Sequence, residues 1–168
     1  MTDDDPIEQR VGAALRERGE TLAVAESCTG GLVGSLVTDV AGSSAYFDRS
    51  LVTYSYDAKQ ELLAVSRESL DDHGAVSEPV AAEMARGVRD TAGTDWGVAT
   101  TGVAGPTGGS PETPVGTVYI AVARAAPWET GESGCTVAGY EFDGSRTQVK
   151  AKIARQALDD LLAAVRSQ

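Results

Sequence analysis

Cysteine, histidine and lysine are scarce in this chain of 168 residues, and each scarcity closes off some chemistry. Two cysteines, Cys28 and Cys135, can build neither a disulfide framework nor a four-cysteine metal site. The single histidine, His73, lies in Asp71-Asp72-His73-Gly74, a polar stretch that reads as an exposed helix end. A Ser-His-Asp triad would depend on that one residue. No run approaches the ~18 to 20 uninterrupted apolar residues of a membrane span. The opening Met1-Thr2-Asp3-Asp4-Asp5-Pro6 lacks a basic stretch followed by an apolar one, so no secretory signal is expected and the cytosol is the expected compartment. Basic clusters are missing too. With 14 Lys and Arg against 25 Asp and Glu the net charge is −11, which repels a polyanion such as DNA or RNA.

What remains is the composition of an ordinary folded domain, 42% hydrophobic and 23% charged, long enough for one core. Neither an internal repeat nor a low-complexity linker interrupts it, so a single domain over residues 1–168 is expected. The basic residues are eleven Arg and only three Lys: Lys59, Lys150 and Lys152. An acidic, lysine-poor chain rich in small side chains suits a high-salt interior, where screening removes most self-repulsion. Where lysine is this rare, each survivor is a candidate for amine chemistry.

Periodicity then sets the elements. Ile7, Val11 and Leu15 recur at helical spacing in an opening helix that ends near Gly19. Thr21 to Ala25 is a short apolar run that reads as a buried strand, and a helix follows Gly31 through about Val40. Arg49 to Tyr54 reads as a second strand, residues 57–64 and 68–72 as short helices. Ser77 and Pro79 mark a helix start, with Glu83 adding negative charge near it, and that helix runs to about Thr91. Asp95 to Thr101 is a third strand, Val115 to Arg124 and Cys135 to Phe142 a hairpin, and Ser145 caps a last helix through about Val165. Strands alternating with helices, then a hairpin, predict an α/β fold: a three-layer α/β/α sandwich with a mixed, mainly parallel sheet.

Two loops follow buried strands, where open α/β sheets place their ligands. In the first, Ala25-Glu26-Ser27-Cys28-Thr29-Gly30-Gly31, Ser27 precedes helix amides and serves either as an N-cap or as a nucleophile. It is not a G-x-S-x-G elbow, since Ala25 and Thr29 flank it. The second loop, Gly102 to Pro114, holds four Gly and three Pro. It reads as a structural turn or a phosphate cradle, without the Walker or dinucleotide pattern. A serine nucleophile needs a base, and a desolvated lysine can supply one. Lys59 lies five residues beyond the strand ending at Tyr54, on the sheet edge that carries Ser27, while Lys150 and Lys152 lie on the last helix. Tyr54 could orient Lys59 or relay its proton, or be an ordinary strand aromatic.

Several segments in order carry a resemblance: Ala25 to Gly31, Val52-Thr53-Tyr54-Ser55 with Ala58-Lys59, His73 to Glu78, Thr101 to Gly109, and Pro114 to Val118. Together they resemble the CinA C-terminal domain family, whose characterised members are nicotinamide-mononucleotide amidases, in its stand-alone form. The resemblance implies hydrolysis of the carboxamide of nicotinamide mononucleotide to nicotinic acid mononucleotide and ammonia, with no metal and no cofactor. It makes Ser27 the nucleophile and Lys59 the base, with Tyr54 beside them. It implies that Cys28, Thr29, Gly30 and Gly31 face the substrate and hold the oxyanion through their amides. Thr101, Gly102, Ala104 and Gly105 would contact the nucleotide, and Arg146 its phosphate. Lys150 stands where the family often carries a second Arg, and Thr107 where Asp or Asn is common after proline. Cys28 reads as a small buried residue rather than a second nucleophile.

Two other readings compete: a nucleotide-binding module without catalysis, and a serine hydrolase of another small amide. The expected partner is a small nucleotide, with neither nucleic acid nor membrane, and exposed edge strands make a homodimer the default. The charge balance yields a first prediction. Thermal stability should rise with potassium chloride into the molar range, and a melting temperature highest in dilute buffer contradicts the salt-adapted reading.

Overall fold

In the three central strands of the sheet, large side chains point to one face and mostly alanines to the other, and this asymmetry sets the spacing of the layers. The computed structural model describes residues 4–168; Met1-Thr2-Asp3, the start of the acidic opening, lie outside the described residues. The elements are α1 (Ile7–Arg18), β1 (Leu22–Glu26), α2 (Leu32–Thr38), β2 (Phe47–Val52), α3 (Tyr56–Leu63), α4 (Arg67–His73), α5 (Glu78–Ala92), β3 (Trp96–Gly102), β4 (Thr117–Arg124), β5 (Gly134–Glu141) and α6 (Arg146–Arg166). The sheet order is β2-β1-β3-β4-β5. β1 pairs in parallel with β2 and β3, and β4 runs antiparallel to β3 and β5, so only β4 opposes the rest. With helices on both faces this is the expected α/β/α sandwich with a mixed, mainly parallel sheet. No helix among the described residues is long and apolar enough to cross a membrane.

On one face, Leu22, Val24, Trp96, Val98, Ile120 and Val122 pack under α1, α2 and α6. On the other, Ala23, Ala25, Ala99, Ala121 and Ala123 meet Val80, Ala81, Met84, Ala85 and Val88 of α5. Small residues let α5 press close to the sheet. A Cβ on Gly97 would lie 2.2 Å from the Ala85 carbonyl oxygen, so only glycine fits there.

Several ends differ from the sequence expectation. β2 closes at Val52 rather than Tyr54, because the Thr53 amide makes a last bond to the Glu26 carbonyl (2.8 Å) and Ser55 then caps α3 through Ala58 N. β4 begins at Thr117 rather than Val115, since Gly116 turns there with φ 94°. Ser77 holds the N-cap position of α5, but its hydroxyl donates to the Gly74 carbonyl instead of capping. Glu83 accepts from Ser66 N, Ser66 Oγ and Ser69 Oγ and so ties α4 to α5. Ser145 caps α6 as expected, in a reciprocal box with Gln148.

One buried carboxylate joins the central elements, and the sequence had offered no reason to single it out. Glu26, fully buried at the end of β1, accepts through Oε1 from Thr29 Oγ1 (2.7 Å), Gly31 N (3.2 Å) and Val33 N (2.9 Å). Its Oε2 accepts from Gly34 N (3.0 Å) and Ser50 Oγ (2.6 Å). The anion thus satisfies the exposed amides of the α2 N-terminus and reaches across to β2. Glycine at 34 permits the approach, since a Cβ there would lie 2.8 Å from Ser50 Cβ. Replacing Glu26 by Ala strands these donors in a buried site. Glu26→Ala should therefore lose about 3 kcal/mol or more of unfolding free energy in denaturant melts, whereas a loss below about 1 kcal/mol is at odds with the clamp.

Candidate active site

β1 sits between β2 and β3, and the chain leaves it first toward one neighbour and then returns past it to the other, with α2 on one face and α5 on the opposite face. Such a switch point opens a crevice beyond the carboxyl ends of the strands. Ser27 enters it directly from β1. Its amide donates to the Thr100 carbonyl (3.0 Å) and its carbonyl accepts from Gly30 N (3.2 Å), so the chain turns there. The residue at the N-cap of α2 is Gly31, and Ser27 does not cap that helix.

Lys59 arrives from α3. Its Nζ lies 3.0 Å from Ser27 Oγ, 2.7 Å from the Thr53 carbonyl oxygen and 3.4 Å from the Tyr54 carbonyl oxygen. The side chain is fully buried, and burial lowers its pKa to about 8. A neutral amine has two N–H donors and one lone pair. If the two carbonyls take the donors, the lone pair is left for the Ser27 hydroxyl to donate into. The early end of β2 matters here, because it releases the Thr53 carbonyl from the ladder with β1 and leaves it to the amine.

Tyr54 is 64% exposed at the rim, and its hydroxyl meets Arg146 Nη2 at 3.4 Å rather than Lys59. Its contact with the amine is through the main chain. Arg146 also donates through Nη1 to the Gly105 carbonyl (2.6 Å), so α6 braces the glycine-rich loop. Cys28 is buried beside the serine, and burial pushes its thiol up to about 12, which keeps it protonated and unreactive. His73 is exposed at the end of α4, as expected. Lys152 is exposed and donates to the Asp143 carbonyl (2.6 Å). Lys150 is half-buried, its Nζ 3.5 Å from where a Cβ on Gly30 would lie.

The cavity between these groups has a volume of about 260 Å³ and is lined by Ser27, Cys28, Tyr54, Lys59, Thr101, Gly102, Ala104 and Arg146 from the expected set. Thr29, Gly30, Gly31 and Gly105 do not line it. Thr29 is fully buried and spends its hydroxyl on Glu26 and Thr100, Gly30 N is bonded to Ser27 O, and Gly31 N to Glu26. The Gly30 and Gly31 amides are therefore not open to a substrate. Ala75, Val76, Val103, Thr107 and Gly108 also line the cavity. Ala75 and Val76 come from a segment that carries the family resemblance, but apolar side chains there announce no chemistry. Three larger cavities among the described residues, about 370, 420 and 800 Å³, are lined by no lysine and hence hold no comparable pair.

The sequence profile of the CinA C-terminal domain matches residues 4–165. A CinA-like protein of Geobacter sulfurreducens is 51% identical over 156 residues, which is 93% of this chain but 36% of that protein. The chain thus spans about a third of the length of several curated relatives it matches. The nicotinamide-nucleotide amidohydrolase PncC of Escherichia coli is 46% identical over 163 residues, covering 96% of this chain and 95% of that one. Among solved structures, a competence-damaged protein (CinA) superfamily protein of Klebsiella pneumoniae superposes with TM-score 0.88 at 36% identity, over 96% of this chain and 97% of that one. The motifs, the sheet order and these likenesses agree: the chain belongs to the CinA C-terminal domain family.

Proposed function

We propose that this protein is a cytosolic amidohydrolase that converts nicotinamide mononucleotide to nicotinic acid mononucleotide and ammonia through Ser27 and Lys59. The observation that carries the reading is the buried amine 3.0 Å from the serine hydroxyl, with two backbone carbonyls beside it. Supporting it is the likeness to the Escherichia coli enzyme over nearly the whole of both chains.

In the first half-reaction Ser27 Oγ forms a bond to the carboxamide carbon and its proton passes to Lys59 Nζ. The carbonyl electron pair moves to oxygen. On collapse the C–N bond breaks and the leaving nitrogen takes the proton from Lys59, departing as ammonia. Water, deprotonated by the same amine, then hydrolyses the ester on Ser27. A cavity of about 260 Å³ takes the pyridine carboxamide, leaving the phosphate toward the rim where Arg146 stands and Lys150 lies nearby. Arg146 presents the planar fork suited to phosphate, and Lys150 adds a point charge.

Ammonia release is the test, with nicotinamide, its riboside and its mononucleotide as substrates. Ser27→Ala and Lys59→Ala should each reduce kcat at least ~10³-fold on the mononucleotide while keeping the far-UV spectrum of the parent. Full activity in Ser27→Ala would end the reading. Binding of the mononucleotide without turnover by the parent would favour a sensor module, and equal rates on all three compounds another small amide.

The depressed lysine pKa adds a pH dependence. The base works only when uncharged, and a pKa of about 8 leaves about one amine in ten uncharged at pH 7. So kcat/KM should climb about tenfold per pH unit below pH 8 and level off above it. A rate that falls as pH rises through 8 would mean that the ammonium, not the amine, is the working form.

A further inference from the structure

The carbonyl oxygen of the substrate becomes an oxyanion when Ser27 attacks, and donors must wait for it. The amides at the N-terminus of α2 look suited to this role, yet Glu26 occupies them. Gly31, Val33 and Gly34 all donate to its carboxylate, and a second anion placed there would meet the first. The oxyanion site has to be elsewhere.

Strand register shows where. In β3, alternate residues turn their main-chain groups toward β1 and toward β4. Trp96 N donates to the Thr21 carbonyl and Ser27 N to the Thr100 carbonyl, so the even-numbered residues face β1. Val103 N donates to the Thr117 carbonyl, so the odd-numbered ones face β4. By this alternation Gly102 N–H faces the β1 side, and the parallel ladder would next give it the Ser27 carbonyl. That carbonyl instead accepts from Gly30 N, because the chain turns at Ser27. The Gly102 amide is therefore left without an acceptor among the described residues, at the cavity wall, directed toward the nucleophile's turn. Cys28, the residue after the nucleophile, lines the same cavity, and its amide likewise has no oxygen acceptor among the described residues, meeting only its own thiol. Gly102 is also held fast: a Cβ would lie 2.7 Å from the Thr117 carbonyl oxygen, so the strand is pressed against β4 and its amide is preorganised.

We propose that the main-chain amides of Gly102 and Cys28 form the oxyanion site, and that Glu26 keeps the α2 N-terminus out of that role. The proposal rests on Ser27 and Lys59 acting as nucleophile and base. When the C=O pair moves to oxygen, the two N–H groups donate to it, and they release it when the pair returns and the C–N bond breaks. Two donors from separate elements, one on the nucleophile's turn and one on a neighbouring strand, meet the geometric need without using any side chain.

Removing single N–H groups by amide-to-ester substitution tests this. Incorporating glycolic acid at position 102 of the full chain deletes one N–H that no protein group uses. Incorporating it at position 31 deletes one that Glu26 uses. The ester at 102 should lower kcat ~10²- to 10³-fold with KM changed less than about threefold, while the ester at 31 leaves kcat within about threefold. The reverse pattern, or an ester at 102 with kcat near that of the parent, overturns the proposal. Ser27→Ala in the same assay separates the two claims: if that variant stays active it is the nucleophile assignment that fails. A second measurement needs no altered chain. Pyridine-3-boronic acid should form a tetrahedral adduct on Ser27, and the Gly102 and Cys28 amide protons should then shift downfield in the NMR spectrum. An adduct that leaves both resonances in place overturns the proposal equally.

Discussion

A fully buried carboxylate has to gather donors from the protein, and the position of Glu26 follows from that constraint. It draws in three amides of the α2 start and two hydroxyls, one from the turn and one from β2. Gathering them bends the chain sharply after β1, and the bend is what leaves Ser27 at the mouth of the crevice. The same bend interrupts the β1–β3 ladder one residue after Ser27 N meets Thr100 O. The placement of Ser27, the helix start and the unpaired strand amide all accompany one buried carboxylate finding its partners.

Lysine chemistry here is equally a matter of removal from water. An exposed Lys59 would hold its proton far too tightly to serve as a base near neutrality. Burial under α3 and the end of β2 weakens that hold, and the nearby carbonyls of Thr53 and Tyr54 orient what remains. The Thr53 carbonyl would be bound in the ladder with β1 had β2 continued as far as a strand-like reading of Thr53 and Tyr54 suggests. A shorter strand is thus part of the site. The Arg146 brace acts on the opposite wall, joining the last helix to the Gly105 carbonyl and the Tyr54 hydroxyl.

The architecture was legible because its signals are local. Helical spacing of Ile7, Val11 and Leu15, the capping Ser145 and the apolar run Leu22 to Ala25 each report on a few neighbouring residues, and each element formed where they indicate. Ser27 and Lys59 were legible for a different reason. One follows a buried strand, the other is a scarce residue type beside the next strand end, and motif likeness joined them. Less legible were residues whose role depends on distant partners. Glu26 reads as one more acidic residue and Thr29 as a substrate contact, because nothing nearby in the chain discloses Ser50 or Thr100.

By itself, then, the amino-acid order determined the elements, the sandwich and the family, and it singled out Ser27 and Lys59, which the fold brings to 3.0 Å, since propensity, periodicity and motif act over short stretches of chain. Tertiary structure alone decided which donors are already taken. An amide is available to a substrate only if no strand, helix end or carboxylate has claimed it, and those claims are made across the sheet by residues as far apart in the chain as Thr29 and Thr100. Hydrogen bonds are saturable and directional, so the open ones can be found only once the whole set is closed.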